Sequence, residues 1–187
     1  MIKIIGGKFK KTNLETIPNF TRATSAQKRE SIFSIIDSIS LKIKHNFYNG
    51  KIFLDLFAGT GAMGLEAISR GAEKAIFYEN NSEVINILKK NCYKLCNKNQ
   101  YEIIEEDILE SEFNINFDNI NIIYIDPPYG KYKLNEILFK LSKKIIDSKT
   151  IVVLETSKNE YLEINKEYKI INSKIYGKTK LNFINLS

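Results

Sequence analysis

Apolar residues in this chain fall into two periods. Five short runs, Lys51–Leu56, Lys74–Tyr78, Tyr101–Ile104, Ile120–Ile125 and Ile151–Glu155, are nearly continuous in apolar character, the pattern of strands covered on both faces. Between the first of them, Ala62–Arg70 and Ser82–Leu95 carry apolar residues at helical spacing. Alternating strands and helices predict an α/β fold with a doubly wound, mostly parallel sheet. Near the end, Tyr168–Tyr176 and Lys180–Leu186 flank a short turn containing Gly177, which predicts a hairpin with one antiparallel strand. Upstream, Lys3-Ile4-Ile5-Gly6-Gly7-Lys8-Phe9-Lys10 predicts a small hairpin turning at its two glycines. Thr24-Ser25-Ala26-Gln27 has the form of a capping box, and Ile32, Phe33, Ile35, Ile36 and Ile39 then define a helical apolar face. Residues 1–50 are therefore expected to form a hairpin-and-helix extension packed on a core of residues 51–187.

Two strand ends carry chemistry. The run Ile52-Phe53-Leu54-Asp55 leads into Leu56-Phe57-Ala58-Gly59-Thr60-Gly61-Ala62-Met63-Gly64, a glycine-rich turn that opens a helix. Such a turn lets the backbone approach a ligand closely and presents free helix N–H groups. The next strand ends in Glu79, 20 residues after Gly59, where an acid can accept hydrogen bonds from two ribose hydroxyls. Taken alone this spacing is a dinucleotide fingerprint and does not separate nicotinamide from other adenosine cofactors. The second strand end is Asp126-Pro127-Pro128-Tyr129, which uses two of the chain's three prolines. The Pro-Pro pair donates no backbone hydrogen bond and stiffens its carbonyls. An acid, a carbonyl and an aromatic face then converge on one point, which suits a planar group bearing an exocyclic amine.

Charge adds a partner class. Residues 1–50 hold nine Lys or Arg and three Asp or Glu, a net of +6, whereas residues 51–187 hold nineteen of each and are neutral. A basic extension favours polyanions through phosphate contacts and counterion release. Lys8, Lys10, Lys11, Arg22, Lys28 and Arg29 are the expected phosphate contacts. Composition, at 43% hydrophobic residues, supports one sizeable core, with no transmembrane run and no signal-peptide pattern, so a soluble cytoplasmic protein is expected. Cys92 and Cys96 stand i,i+4 on a predicted helix with no further cysteine or nearby histidine to complete a metal site, and read as reduced packing thiols. His45, the only histidine, reads as a surface residue.

Asp55-Leu56-Phe57-Ala58-Gly59-Thr60-Gly61 resembles the first motif of the class I S-adenosylmethionine-dependent methyltransferases. Glu79 resembles their ribose acid, and Asp126-Pro127-Pro128-Tyr129 their amino-methyltransferase motif. That resemblance implies a Rossmann-like sheet and S-adenosylmethionine as cofactor, with S-adenosylhomocysteine as product and no metal. It places Asp55, Phe57, Ala58, Gly59, Thr60, Gly61, Gly64, Glu79, Asn80, Asp107 and Ile108 at the cofactor. Asp107 would bind the adenine amino group, and Ile108 would line its pocket. Asp126, Pro127, Pro128 and Tyr129 would act on the substrate amine.

Lys3-Ile4-Ile5-Gly6-Gly7-Lys8, Thr21-Arg22-Ala23-Thr24, Arg29-Glu30-Ser31-Ile32-Phe33 and Ile175-Tyr176-Gly177-Lys178-Thr179 extend the resemblance over essentially the whole chain. Together they resemble the bacterial small-subunit ribosomal RNA guanine-N2 methyltransferases of the RsmD type. The family pattern has Arg-Pro-Thr where this chain has Arg22-Ala23-Thr24, an acid and a base where Ala26 and Gln27 stand, and an acid where Asn81 stands. The resemblance implies ribosomal RNA as partner, free or within an assembled small-subunit particle, and a monomeric enzyme away from membranes. Direct in-line transfer to guanine N2 is the expected reaction. The alternative is a DNA or RNA adenine-N6 methyltransferase, which shares the tetrapeptide; a DNA enzyme would normally need a target-recognition domain for which this chain has little room. A protein-glutamine methyltransferase usually carries Asn at position 126. A nicotinamide oxidoreductase leaves the tetrapeptide unexplained, and an RNA-binding module would need only the basic extension.

Overall fold

A computed structural model of the chain describes residues 2–17, 25–128, 130–145, 147–162 and 168–186. Tyr129, Arg22 and the Thr24 of the predicted capping box lie outside the described residues. In chain order the elements are β1 (Ile2–Lys3), β2 (Asn13–Leu14), α1 (Ala26–Ile43), β3 (Ile52–Asp55), α2 (Ala62–Ser69), β4 (Lys74–Tyr78) and α3 (Ser82–Leu95). They continue with β5 (Tyr101–Ile104), β6 (Ile120–Ile125), α4 (Leu134–Ser142), β7 (Ile151–Ser157), β8 (Tyr168–Tyr176) and β9 (Thr179–Leu186).

Seven strands form one sheet in the order β5-β4-β3-β6-β7-β9-β8. The five strands from β5 to β7 pair in parallel. β9 enters antiparallel between β7 and β8, so the antiparallel member of the predicted hairpin is its second strand. The strand order reverses between β3 and β6. The carboxyl ends of these neighbours therefore frame the crevice where open α/β sheets bind ligands.

Alternation along each strand divides the core in two. Phe53, Phe77, Tyr124, Val153 and Phe183 pack on one face with α1, α2, α3 and the amino-terminal strands. Leu54, Ile76, Ile123, Ile125, Leu154 and Ile184 pack on the other with α4. Both faces are covered, which is why the strands read as continuous apolar runs.

The amino-terminal segment differs from the predicted hairpin. β1 and β2 pair over two residues each, and Gly6-Gly7 is no two-residue turn but part of a loop laid on the end of α2. A Cβ on Gly7, at φ +70°, would collide with the Ser69 carbonyl oxygen at 1.8 Å. The glycine is needed for that close approach. α1 starts one residue later than the capping-box pattern implies: Ser25 is the cap, its Oγ accepting the Lys28 N–H at 3.2 Å.

Residues 105–119 between β5 and β6 form no helix, although strict alternation predicts one. Asp107, Ser111 and Asn116 each accept the N–H two residues ahead with their side chains. These local turns satisfy the backbone in place of a helix.

Candidate active site

The crevice at the carboxyl ends of β3, β4 and β5 is built by short-range chemistry. Gly59 and Gly61 are left-handed, at φ +53° and +86°. A Cβ on Gly59 would meet nothing within 4 Å, so this backbone faces open space where a ligand can approach. Gly61 and Gly64 serve differently. A Cβ on Gly61 would strike Leu88 Cδ1 at 2.5 Å, and one on Gly64 would strike the Phe77 ring at 2.3 Å. Both let α2 sit close to α3 and the sheet, which gives each glycine a packing role. Thr60 is buried, its carbonyl accepting Asn91 Nδ2 at 2.9 Å, and Ala58 is anchored by its N–H to the Tyr78 carbonyl at 2.9 Å.

The acids follow. Glu79 accepts the Gly59 N–H through Oε2 at 2.9 Å and the Asn80 and Asn81 N–H groups through Oε1, both at 3.0 Å. Three backbone donors hold its carboxylate at the mouth of a cleft lined by Leu56, Phe57, Tyr78, Glu79, Asn80, Asp107, Ile108 and Tyr132 among others. The cleft is partly open to solvent. Asp107 is pinned through Oδ1 by the Leu109 N–H at 2.9 Å, and through Oδ2 by Asn80 Nδ2 at 2.7 Å and the Tyr132 hydroxyl at 3.1 Å. The Leu109 N–H, then Tyr132 and Asn80, hold its carboxyl below the usual range. The Tyr132 ring meets Phe57 edge to face at 4.8 Å and closes one wall. Sequence reading missed Tyr132, because a tyrosine six residues after the candidate catalytic acid carries no spacing signal.

Asp55 lies deeper, 1% exposed, and neither carboxylate oxygen has a hydrogen-bond partner of good geometry. Its pKa is pushed up to about 8, first by burial and then by the Asp126 charge. Nearby Gly64 and Phe57 N–H groups oppose the rise without meeting the geometry of full hydrogen bonds. An orphaned buried carboxyl beside an open glycine turn fits a ligand that brings positive charge or hydrogen-bond donors.

Asp126 stands one residue beyond β6, partly buried, with Pro127 buried and Pro128 exposed after it. Tyr124 contacts two carboxylates with its hydroxyl: Asp126 Oδ2 at 3.3 Å and Glu155 Oε2 at 3.2 Å. Glu155, on β7, is paired through Oε1 with Lys28 Nζ of α1.

That pair bears on the basic extension. Lys28 is engaged inside the molecule and not aimed at solvent. Arg29 is 2% exposed, and its Nη2 donates to the Lys3 carbonyl at 2.7 Å. Burial lowers its pKa, with Glu66 and Tyr124 opposing. Both side chains are engaged by polar groups within the molecule. Lys8, Lys10 and Lys11 are exposed on the loop between β1 and β2.

Two further residues hold the site together and carried no sequence signal. Glu66, fully buried on α2, accepts the Ile5 N–H at 2.7 Å, the Gly6 N–H at 2.8 Å and Arg70 Nε at 2.9 Å. Asn91, buried on α3, ties the glycine turn to Glu15 through both backbone groups of that residue. Burial raises the pKa of both thiols, Cys96 to about 11, so Cys92 and Cys96 are packing groups. His45 is half-buried, edge-on to Phe47 at 4.8 Å.

A sheet of this order, with a glycine turn, two strand-end acids and an Asp-Pro-Pro turn at its switch point, defines a Rossmann-like methyltransferase fold. The structure superposes on the Escherichia coli protein yhhF with a TM-score of 0.83, at 24% identity, over 100% of this chain and 98% of that one. It also resembles an RNA methyltransferase from Salinibacter ruber, determined in complex with S-adenosyl-L-homocysteine, with a TM-score of 0.65, at 10% identity, over 88% of this chain and 93% of that one. In sequence it is 33% identical over 177 residues to the ribosomal RNA small subunit methyltransferase D of Buchnera aphidicola, covering 93% of this chain and 87% of the relative. Residues 2–185 match the family described as conserved hypothetical protein 95. The chain belongs to that family, the RsmD family.

Proposed function

We propose that this chain methylates the exocyclic N2 amine of a guanine in small-subunit ribosomal RNA, using S-adenosylmethionine. One observation carries the reading: the Asp126 carboxylate and the acid-lined cleft both lie at the carboxyl ends of the parallel strands. A nucleoside cofactor in the cleft and a flat base on the Asp-Pro-Pro turn would therefore meet end to end.

The residues present fit the cofactor. Glu79, already oriented by three N–H groups, would accept ribose hydroxyls, and Ile108, Phe57 and Tyr132 would enclose the adenine. Asp55 would face the cationic methionine portion. S-adenosylmethionine supplies a sulfonium methyl that is already activated for transfer.

The chain's own contribution is then positional. Asp126 and the Pro127 carbonyl would accept the two hydrogens of the amine and localise its lone pair toward the methyl. Tyr124 would hold the carboxylate in register through its hydroxyl. Positioning of this kind, with charge placed before the reaction begins, supplies most of the acceleration. Tyr129 would stack on the base, worth about 1–3 kcal/mol. Lys8, Lys10 and Lys11 would meet phosphates from the exposed loop.

The test is a map of N2-methylguanosine in ribosomal RNA from cells with and without this gene. One small-subunit guanine should lose its methyl group and regain it with the wild-type gene but not with Asp126→Ala. Unchanged guanines, with an N6-methyladenine lost instead, would overturn the reading.

A further inference from the structure

We infer that the β8–β9 turn and the loop after β7 form a second RNA-binding surface, where Lys158, Lys174 and Lys178 meet phosphates beside the target base and Tyr161 stacks on an unpaired base. The inference rests on the proposed methylation of RNA at Asp126 and adds a surface to it.

The neutrality of residues 51–187 conceals a division. Residues 168–187 hold four lysines, Lys169, Lys174, Lys178 and Lys180, and no Asp or Glu. Residues 51–167 hold fifteen Lys or Arg and nineteen Asp or Glu. The fold gathers the basic surplus beside the site. β7 runs parallel to β6, so both end at the carboxyl edge of the sheet. Ser157, the last residue of β7, pairs with Thr179, which pairs in turn with Tyr176. The β8–β9 turn therefore stands at that same edge. Asp126, one residue past the Ile125–Leu154 pair, is level with Glu155, Leu181 and Lys174 on the next three strands of the sheet. Three strand spacings are about 14 Å.

The loop that carries Lys8, Lys10 and Lys11 stands elsewhere. α2 leaves the glycine turn and returns the chain to the start of β4, and the Lys8 N–H bonds the carbonyl of Ser69 at the far end of that helix. Eight residues of helix put this contact about 12 Å from the glycine turn. That loop meets RNA at a distance from the base. Asp126, Glu79 and Asp107 make the crevice itself acidic, so the nucleotides beside the base need a nearer source of positive charge.

The β8–β9 turn supplies it on fixed supports. The Lys158 N–H donates to the Lys178 carbonyl at 2.8 Å and ties the two loops together. Lys174 Nζ lies 5.2 Å from the centroid of the Tyr176 ring and donates to Ser31 Oγ of α1 at 3.4 Å. The Tyr176 hydroxyl is bonded to the same serine. Lys158, Lys174 and Lys178 are exposed, and among the described residues none of the three is in an ion pair. Glu160, partly buried on the loop after β7, offsets part of their charge. Tyr161, three residues after Lys158, is 82% exposed. An aromatic ring in water beside fixed cations suits RNA, whose unpaired bases stack on such faces, better than an acidic protein segment.

The test measures affinity for protein-free small-subunit ribosomal RNA across a salt series, KM for RNA and cofactor affinity. The variants are Lys158→Gln/Lys174→Gln/Lys178→Gln, Lys158→Gln/Lys178→Gln, Tyr161→Ala and Asp126→Ala. The triple variant should flatten the slope of log affinity against log salt by about two to three units and raise KM for RNA, with cofactor affinity unchanged. The double variant should flatten it by about one and a half units. It leaves the contacts of Lys174 with α1 intact and carries the test if the triple variant does not fold. Tyr161→Ala should weaken RNA binding about tenfold at an unchanged slope; wild-type affinity there would overturn the stacking. Wild-type slopes and KM in the folded lysine variants would overturn the surface. Wild-type binding of protein-free RNA, with methylation of the assembled small-subunit particle lost, would put a protein segment of the particle on these lysines and overturn it equally. Asp126→Ala should be inactive at wild-type RNA affinity. Normal turnover in that variant would remove methylation at Asp126, while a flattened slope in the lysine variants would still establish the RNA contact.

Discussion

Asp126 and the residues around the glycine turn differ in what a single substitution tests. Asp126→Ala removes the acceptor at the substrate amine. We expect methyl transfer to fall about 10²–10³-fold, the scale of one well-placed electrostatic partner, with cofactor affinity within a few fold. Calorimetry and a labelled-methyl assay on the same preparation check both halves. Gly61 is a poor probe of the cofactor because its Cβ would enter Leu88; Gly61→Val should destabilise the fold before it reports on binding. Gly59 is the better probe, since its Cβ would point into open space. Gly59→Val should weaken cofactor binding at least tenfold, one part from the strain of a branched residue at φ +53° and the other from the blocked approach. Equal affinity by calorimetry would remove the glycine turn from the site.

Asp55 offers a pH test at the same scale. Its folded pKa of about 8 lies above the ordinary aspartate value of 3.8. Between those values the folded chain binds a proton that the unfolded chain releases, so this residue's contribution makes stability fall as pH rises through that window. Asp55→Asn removes the contribution. The variant should gain stability relative to wild type at pH 8 and much less at pH 5, read by thermal unfolding at both. An equal difference at the two pH values would show that Asp55 ionises freely in the folded protein.

At the scale of elements, buried polar residues do the joining. α2 carries Glu66 into the core, where it accepts two N–H groups of the β1–β2 loop and Arg70. Charge-assisted hydrogen bonds contribute about 1.5–3 kcal/mol each. Glu66→Ala should therefore cost about 3 kcal/mol in denaturant unfolding and loosen the loop that carries Lys8, Lys10 and Lys11. A loss under about 1 kcal/mol would mean that water replaces the carboxylate without penalty. The helix expected between β5 and β6 fails at this scale too. Asp107, Ser111 and Asn116 bond their own backbone, and Asp107 can then face the cleft.

At the scale of the molecule, the charge surplus and the site meet through the extension. Of the basic residues expected to meet RNA, Lys28 and Arg29 are turned inward, which leaves Lys8, Lys10 and Lys11 as the exposed cluster among the described residues. Each phosphate contact contributes about −0.7 to −0.9 to the slope of log affinity against log salt. Neutralising these three together should flatten the slope for RNA by about two to three units and leave cofactor affinity unchanged. An unchanged slope would make the loop a solubilising surface and place RNA contact elsewhere.

By itself the sequence determined what depends on near neighbours. Strand runs of continuous apolar residues place β4 and β6 at their observed ends, because burial on both faces leaves no other pattern. The glycine turn and Glu79 were legible because strand-to-helix turns of this kind need glycine at fixed offsets. What the tertiary structure decided is partnership across distance. Whether a lysine meets solvent or a carboxylate 127 residues away, as Lys28 meets Glu155, is set by how α1 lies against β7. Gly61 and Gly64 have a packing role that the sequence did not show, since only the fold brings Leu88 and Phe77 beside them. The same holds for Tyr132, Glu66 and Asn91. Their roles come from the groups they reach, and local spacing carries no record of a contact made by chain folding.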